Sequence, residues 1–113
     1  MIIDDEDKIF TKSEIPARFP GGDSAWNAYL HKNLNTTIPA SNGMLTGTYT
    51  VMAVFEVRKD GTLTEISTKS AIDTGMDYEV IRLIKHSPKW IPARQNGRQV
   101  NAFVLLPIIF KVE

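Results

Sequence analysis

The chain has 113 residues, 42% of them hydrophobic, a size that suits one compact domain around a single core and leaves no room for a second. Thirteen basic and thirteen acidic side chains cancel, so the excess of positive charge that nucleic-acid binding by counterion release needs is missing. Cysteine is absent, which excludes disulfides, thiolate metal sites and cysteine nucleophiles and leaves the redox compartment open.

Residues 1–14 hold a charged cluster, Asp4, Asp5, Glu6, Asp7 and Lys8, beside the apolar pairs Ile2-Ile3 and Ile9-Phe10. The carboxylates lack the glycine and terminal glutamate of a calcium loop, so the segment reads as a solvated leader. An acidic start is also the reverse of a signal peptide, and no window approaches eighteen consecutive apolar residues. The sequence as it stands therefore reads as soluble. It is either cytoplasmic or the terminal domain of a longer exported or membrane-anchored protein. Residues 1–18 are taken as an acidic leader or linker and 19–113 as the domain.

Phe19-Pro20-Gly21-Gly22 breaks the chain, and Asp23 or Ser24 is placed to cap a helix running from Asp23 to Leu34, with Trp26, Tyr29, Leu30 and Leu34 on one face. A phosphate-loop reading of Gly21-Gly22-Asp23-Ser24 fails, because no Gly-Lys-Ser/Thr follows. Asn35 to Gly47 reads as a loop. From Thr48 the period changes to two, with Tyr49, Val51, Ala53, Phe55 and Val57 on the apolar face of a strand. Asp60-Gly61 is expected to supply the positive backbone angles of a hairpin turn, and the β-branched run from Thr62 to Ser70 returns as its partner. Leu63 and Ile66 are out of phase for a flat strand, which predicts a bulge between them.

Asp77 to Ser87 is the second helix. Met76, Val80, Leu83 and Ile84 form its apolar stripe, Asp77 and Glu79 lie in the first turn and Lys85 and His86 in the last, as the helix dipole favours. Pro88 stops it, and Trp90, between Pro88 and Pro92, is expected to plug the edge of the core. After the Asn96-Gly97 turn the last strand, Val100 to Val112, is apolar on both faces over much of its length. Pro107 has no donor for a ladder, so this strand is expected at a sheet edge or at a bulge. A long apolar edge is an aggregation hazard unless something covers it.

Catalytic chemistry is not visible. His31 and His86 fall on polar helix faces without a carboxylate or serine arrangement around them, and Asp60 and Asp73 sit where turn chemistry explains them. No metal site, cofactor or active site is expected, and the protein reads as a non-enzyme.

The run from Phe19 to Phe110 resembles the C-terminal domain of TonB-type energy transducers, in its Bacteroidetes-like branch. The matching features come in order: FPGGDSAW before the first helix, the Ile38-Pro39 pair, GTYTVMAVFEVRKDGTLTEI as the hairpin, MDYEVIRLIKHSPKWIPARQNGRQV, and the closing LPIIF. The resemblance implies an α+β fold, with two helices packed on one face of a small, mainly antiparallel three-stranded sheet. It further implies that the last strand is an exposed edge capturing the N-terminal box peptide of a TonB-dependent outer-membrane transporter, through Val100, Asn101, Ala102, Phe103, Val104, Leu105 and Leu106, with Ile38 and Pro39 as further contacts. The same edge would allow a homodimer. A family member of this kind works in the periplasm, anchored in the inner membrane through an N-terminal segment and joined to inner-membrane motor proteins by regions outside this sequence. The alternative is a TonB-like interaction or sensor module on another membrane protein, such as a BlaR-type metallopeptidase.

Overall fold

The computed structural model describes residues 9–41, 43–69 and 75–112. The acidic cluster at residues 4–8 and Asp73 lie outside them. In chain order the elements are β1 (Ile9–Phe10), α1 (Gly22–Asn33), the single turn α2 (Ile38–Ser41), β2 (Gly47–Val57), β3 (Leu63–Lys69), α3 (Met76–Lys85), β4 (Ala93–Gln95) and β5 (Arg98–Val112).

The α+β class is as expected, but the sheet is larger than the three antiparallel strands the resemblance implied. Five strands take part, in the order β1-β5-β2-β3, with β4 paired to the start of β5. The sheet is mixed, because β1 runs parallel to β5. A strand of two or three residues has no period to read, and Ile9–Phe10 and Ala93–Gln95 are strands because of the ladders they form with β5, Arg94 being bridged to Ile15 as well.

The long strands follow their patterns. Val51, Ala53, Phe55 and Val57 of β2 are all fully buried, as are Ile108 and Phe110 of β5 on the same face. Over them pack Met76, Val80, Leu83 and Ile84 of α3. α1 reaches this core through Trp26, which joins Phe19, Tyr29, Phe55 and Trp90 in a chain of ring contacts with centroids 5.1–5.8 Å apart. Trp90 is 6% exposed, as expected of a plug at the core edge.

Local chemistry departs from expectation at three turns. α1 starts one residue early, at Gly22, from a left-handed Gly21 and without a side-chain cap, so Asp23 lies in the first turn instead of capping it. In the hairpin only Gly61 has positive φ, +89°; a turn closed by Gly61 N–H to Arg58 O (2.8 Å) is followed by Arg58 N–H to Thr62 O (2.8 Å), the three-residue form of hairpin loop. Asp60 serves it with its side chain, accepting from Thr62 N–H at 3.0 Å and from Thr62 Oγ at 2.6 Å. The loop at Asn35–Gly47 contains α2, whose Pro39 is buried, proline being tolerated in a helix's first turn where its missing N–H has no partner to lose.

The bulge in β3 is present. Val54 faces Ser67 and Glu56 faces Thr64, so one extra residue sits in β3 between them, and Glu65 there adopts φ +54°.

The open edge of the last strand

β5 is held on one side by β2 along eleven consecutive pairs, from Val57–Ala102 to Gly47–Val112. Its other side changes character along its length. Ile9 and Phe10 of β1 pair with Asn101 and Ala102, and from Phe103 to Val112 no described strand lies on the side away from β2. The register with β2 passes through Pro107 without a shift. A proline is tolerated there because on one side of the strand no described strand waits to receive an N–H.

The sheet's other edge is built differently. β3 has seven residues, is bent by the bulge at Glu65 and carries Glu65 and Lys69, the bulge and charges by which edge strands resist unwanted pairing. β5 has no charge between Phe103 and Phe110. Phe103, Leu105 and Ile109 are 40%, 61% and 52% exposed on the face away from the helices, while Ile108 and Phe110 point into the core.

These positions divide the residues expected to bind peptide. Phe103, Val104, Leu105 and Leu106 lie on the open stretch. Val100, Asn101 and Ala102 are buried among the sheet's own strands: Val100 pairs with Ala93, and Asn101 Oδ1 accepts from Lys59 N–H at 2.8 Å. Ile38 and Pro39 are on α2, with Ile38 half-buried and Pro39 buried. The expected contact set ends at Leu106, although the apolar strand is expected to run through to Val112, and Ile109 continues the exposed period-two series of Phe103 and Leu105. The set also misses the flank of the edge, where Ile9-Phe10 inside a charged stretch was the available signal.

From Ile9 onward the leader is hydrogen-bonded to the domain. Ile15 and Arg94 exchange backbone bonds of 3.1 and 2.9 Å, Arg18 and Ile91 exchange bonds of 3.0 and 2.8 Å, and Glu14 Oε1 accepts from Asn96 N–H at 2.8 Å.

Glu56 is buried opposite Phe103, and its Oε1 accepts from Arg58 Nη1 at 2.8 Å and Thr64 Oγ at 2.9 Å. A displaced acid lies on α3. Burial pushes the Glu79 carboxyl upward, and the Arg82 guanidinium at 2.6 and 2.8 Å together with Asn35 N–H at 2.6 Å outweighs that push and holds it below the usual carboxylate range. Among the described residues no cluster of histidine and acidic side chains is suited to a metal ion, and no helix is long and apolar enough to cross a membrane.

The class so defined is a small α+β domain whose last strand has, among the described residues, a long uncharged stretch of sheet edge with no strand beside it. The chain belongs to the family described as Gram-negative bacterial TonB protein C-terminal, whose family model matches residues 45–112, from just before β2 to the end of β5. It is thus a TonB-type energy-transducer C-terminal domain, of a family of non-catalytic interaction domains that are in general periplasmic and work with outer-membrane receptors. No curated protein and no solved structure matches the chain.

Proposed function

We propose that this domain captures an extended peptide, the N-terminal box of a TonB-dependent outer-membrane transporter, as an added strand on β5, and so transmits inner-membrane proton-motive force to that transporter. The observation that carries the reading is the contrast between the two sheet edges, one bulged and charged, the other open and uncharged from Phe103 to Phe110. Backbone hydrogen bonds along such an edge supply affinity, and alternate side chains supply selectivity. The footprint runs from Phe103 toward Val112, because β1 and β4 already pair with Arg98 to Ala102. Ile38 and Pro39 contribute through α2 at most indirectly, since Pro39 is buried. Anchoring in the inner membrane and coupling to motor proteins there complete the reading, and self-pairing of the same edge into a homodimer competes with capture.

One added strand buries less than a standard interface, so the dissociation constant is expected on the order of micromolar. The test is titration of the labelled chain with transporter N-terminal peptides, read by amide shifts. Shifts are expected along Phe103 to Val112. Shifts confined to α1, α3 or the Asp60 hairpin, with β5 silent, would refute edge capture. Proline supplies a second test. Backbone groups alternate in direction along a strand, and an uninterrupted ladder to β2 puts the missing donor of Pro107 on the open side. The N–H groups of Phe103 and Leu105 then face the same way, so Leu105→Pro is expected to abolish binding with little loss of fold, whereas Val104→Pro breaks the β2 ladder and destabilises the domain.

A further inference from the structure

An edge whose exposed side chains are Phe103, Leu105 and Ile109 looks nearly the same to a captured strand after a slip of two residues, since such a slip returns every side chain to its original face. Pro107, which offers no N–H on the open side, weakens pairing opposite itself in every register without anchoring any one of them, so capture with a defined register needs a further feature that breaks this repeat. A cleft of about 420 Å³ lies where β1 ends and the open edge begins. Its β5 wall runs from Ala102 to Leu105, and its opposite wall is the chain from Phe10 to Ala17, with Thr11, Lys12, Ser13, Pro16 and Ala17 lining it. This is near the lower end of the roughly 300–1,000 Å³ typical of ligand sites, a size for one or two side chains.

We infer that this cleft is the anchor pocket that sets the register of the captured strand, by taking one apolar side chain of leucine or phenylalanine size at the end of the strand next to β1. The inference rests on edge capture by β5. Three observations carry it. The opposite wall is held in place, because the backbone pairs Ile15–Arg94 and Arg18–Ile91 tie it to the segment around β4, and Phe10 and Ala17 pack on the buried Ala93, Val100 and Ala102. The cleft's lining is mixed and small-sided on the apolar part, with alanine at 17 and 102 beside Pro16 and Val104, and Thr11, Lys12 and Ser13 supply the polar part. β1 also fills the line of the added strand upstream, so an incoming strand abuts Phe10 and cannot slide past Phe103. The cleft's wall at residues 10–17 lies outside residues 45–112 that match the family, and its β5 wall lies within them.

The probes are ten-residue peptides alternating valine and threonine, with each threonine replaced in turn by leucine, titrated into the whole chain and read by amide shifts. One leucine position is expected to tighten binding tenfold or more and to shift the amides of Thr11 to Ser13 and Ala17. The other positions are expected to change affinity by less than about threefold. In Ala17→Leu, which fills the cleft, that preference is expected to vanish while the unsubstituted peptide binds as before. Should Ala17→Leu fail to fold, Thr11→Trp overfills the cleft from an exposed position and serves the same purpose. Binding on β5 that is indifferent to leucine position, or a preference that survives the filled cleft, overturns the anchor pocket and leaves edge capture standing. Silence of β5 with every peptide overturns both.

Discussion

Truncating Trp90 to alanine tests the account of the core. The indole is 6% exposed, touches Phe19, Trp26 and Phe55 at ring distances of 5.7, 5.5 and 5.1 Å, and donates from Nε1 to Ser87 Oγ at 3.2 Å. An aromatic of this kind buries about 150–250 Å², worth about 4–6 kcal/mol at about 25 cal/mol per Å². That is an upper bound, because the unfolded chain also buries part of the ring. Measured losses for tryptophan or phenylalanine to alanine run at about 3–5 kcal/mol, and this is the expected cost here. Against a total on the order of 5–15 kcal/mol for a domain, about a fifth or more of the stability goes. The assay is urea unfolding followed by far-ultraviolet circular dichroism and Trp26 fluorescence, with an unchanged slope and a lowered midpoint. Trp90→Phe, which keeps much of the volume and loses the Ser87 bond, is expected to fall between. A loss below about 1 kcal/mol for Trp90→Ala would refute the reasoning and place the ring outside the core.

Gly61→Ala is expected to cost more than Gly97→Ala, although both glycines have positive φ. A Cβ on Gly61 falls 2.5 Å from Trp90 O, whereas one on Gly97 meets nothing within 4 Å; left-handed backbone alone costs about 1–2 kcal/mol, and equal midpoints would show that the Gly61–Trp90 approach is looser than described. Glu65→Gly is expected to stabilise by about 0.5–1 kcal/mol, relief of left-handed strain outweighing the glycine's entropy, and a lowered melting temperature would argue against the bulge conformation. Glu79→Gln at neutral pH is expected to cost about 1–3 kcal/mol through weakened bonds to Arg82 and Asn35. The folded carboxyl lies below its unfolded value, so its contribution is complete above the unfolded pKa of about 4.3 and disappears as pH falls through the folded one. The wild-type advantage over Glu79→Gln should therefore shrink on acidification, and a pH-independent difference would contradict the assignment.

Much of this protein is legible residue by residue. The alternation in Thr48–Val57, the stripe of Met76, Val80, Leu83 and Ile84, the Asn96-Gly97 turn and the phase break between Leu63 and Ile66 each record a preference that acts over a few neighbours, and each appears in the fold. The edge character of β5 was legible only in part, from its length, its apolar faces and Pro107. Where that edge begins is a different kind of fact. It depends on Ile9 and Phe10 pairing with Asn101 and Ala102 across some ninety residues of chain, and no local preference of a two-residue strand encodes such a partner. The same holds for the burial of Val100 to Ala102 and for the cleft beside Phe103. A strand's pattern specifies which of its faces is apolar, but its free backbone groups are specified by what lies beside it, and only the packed chain decides that.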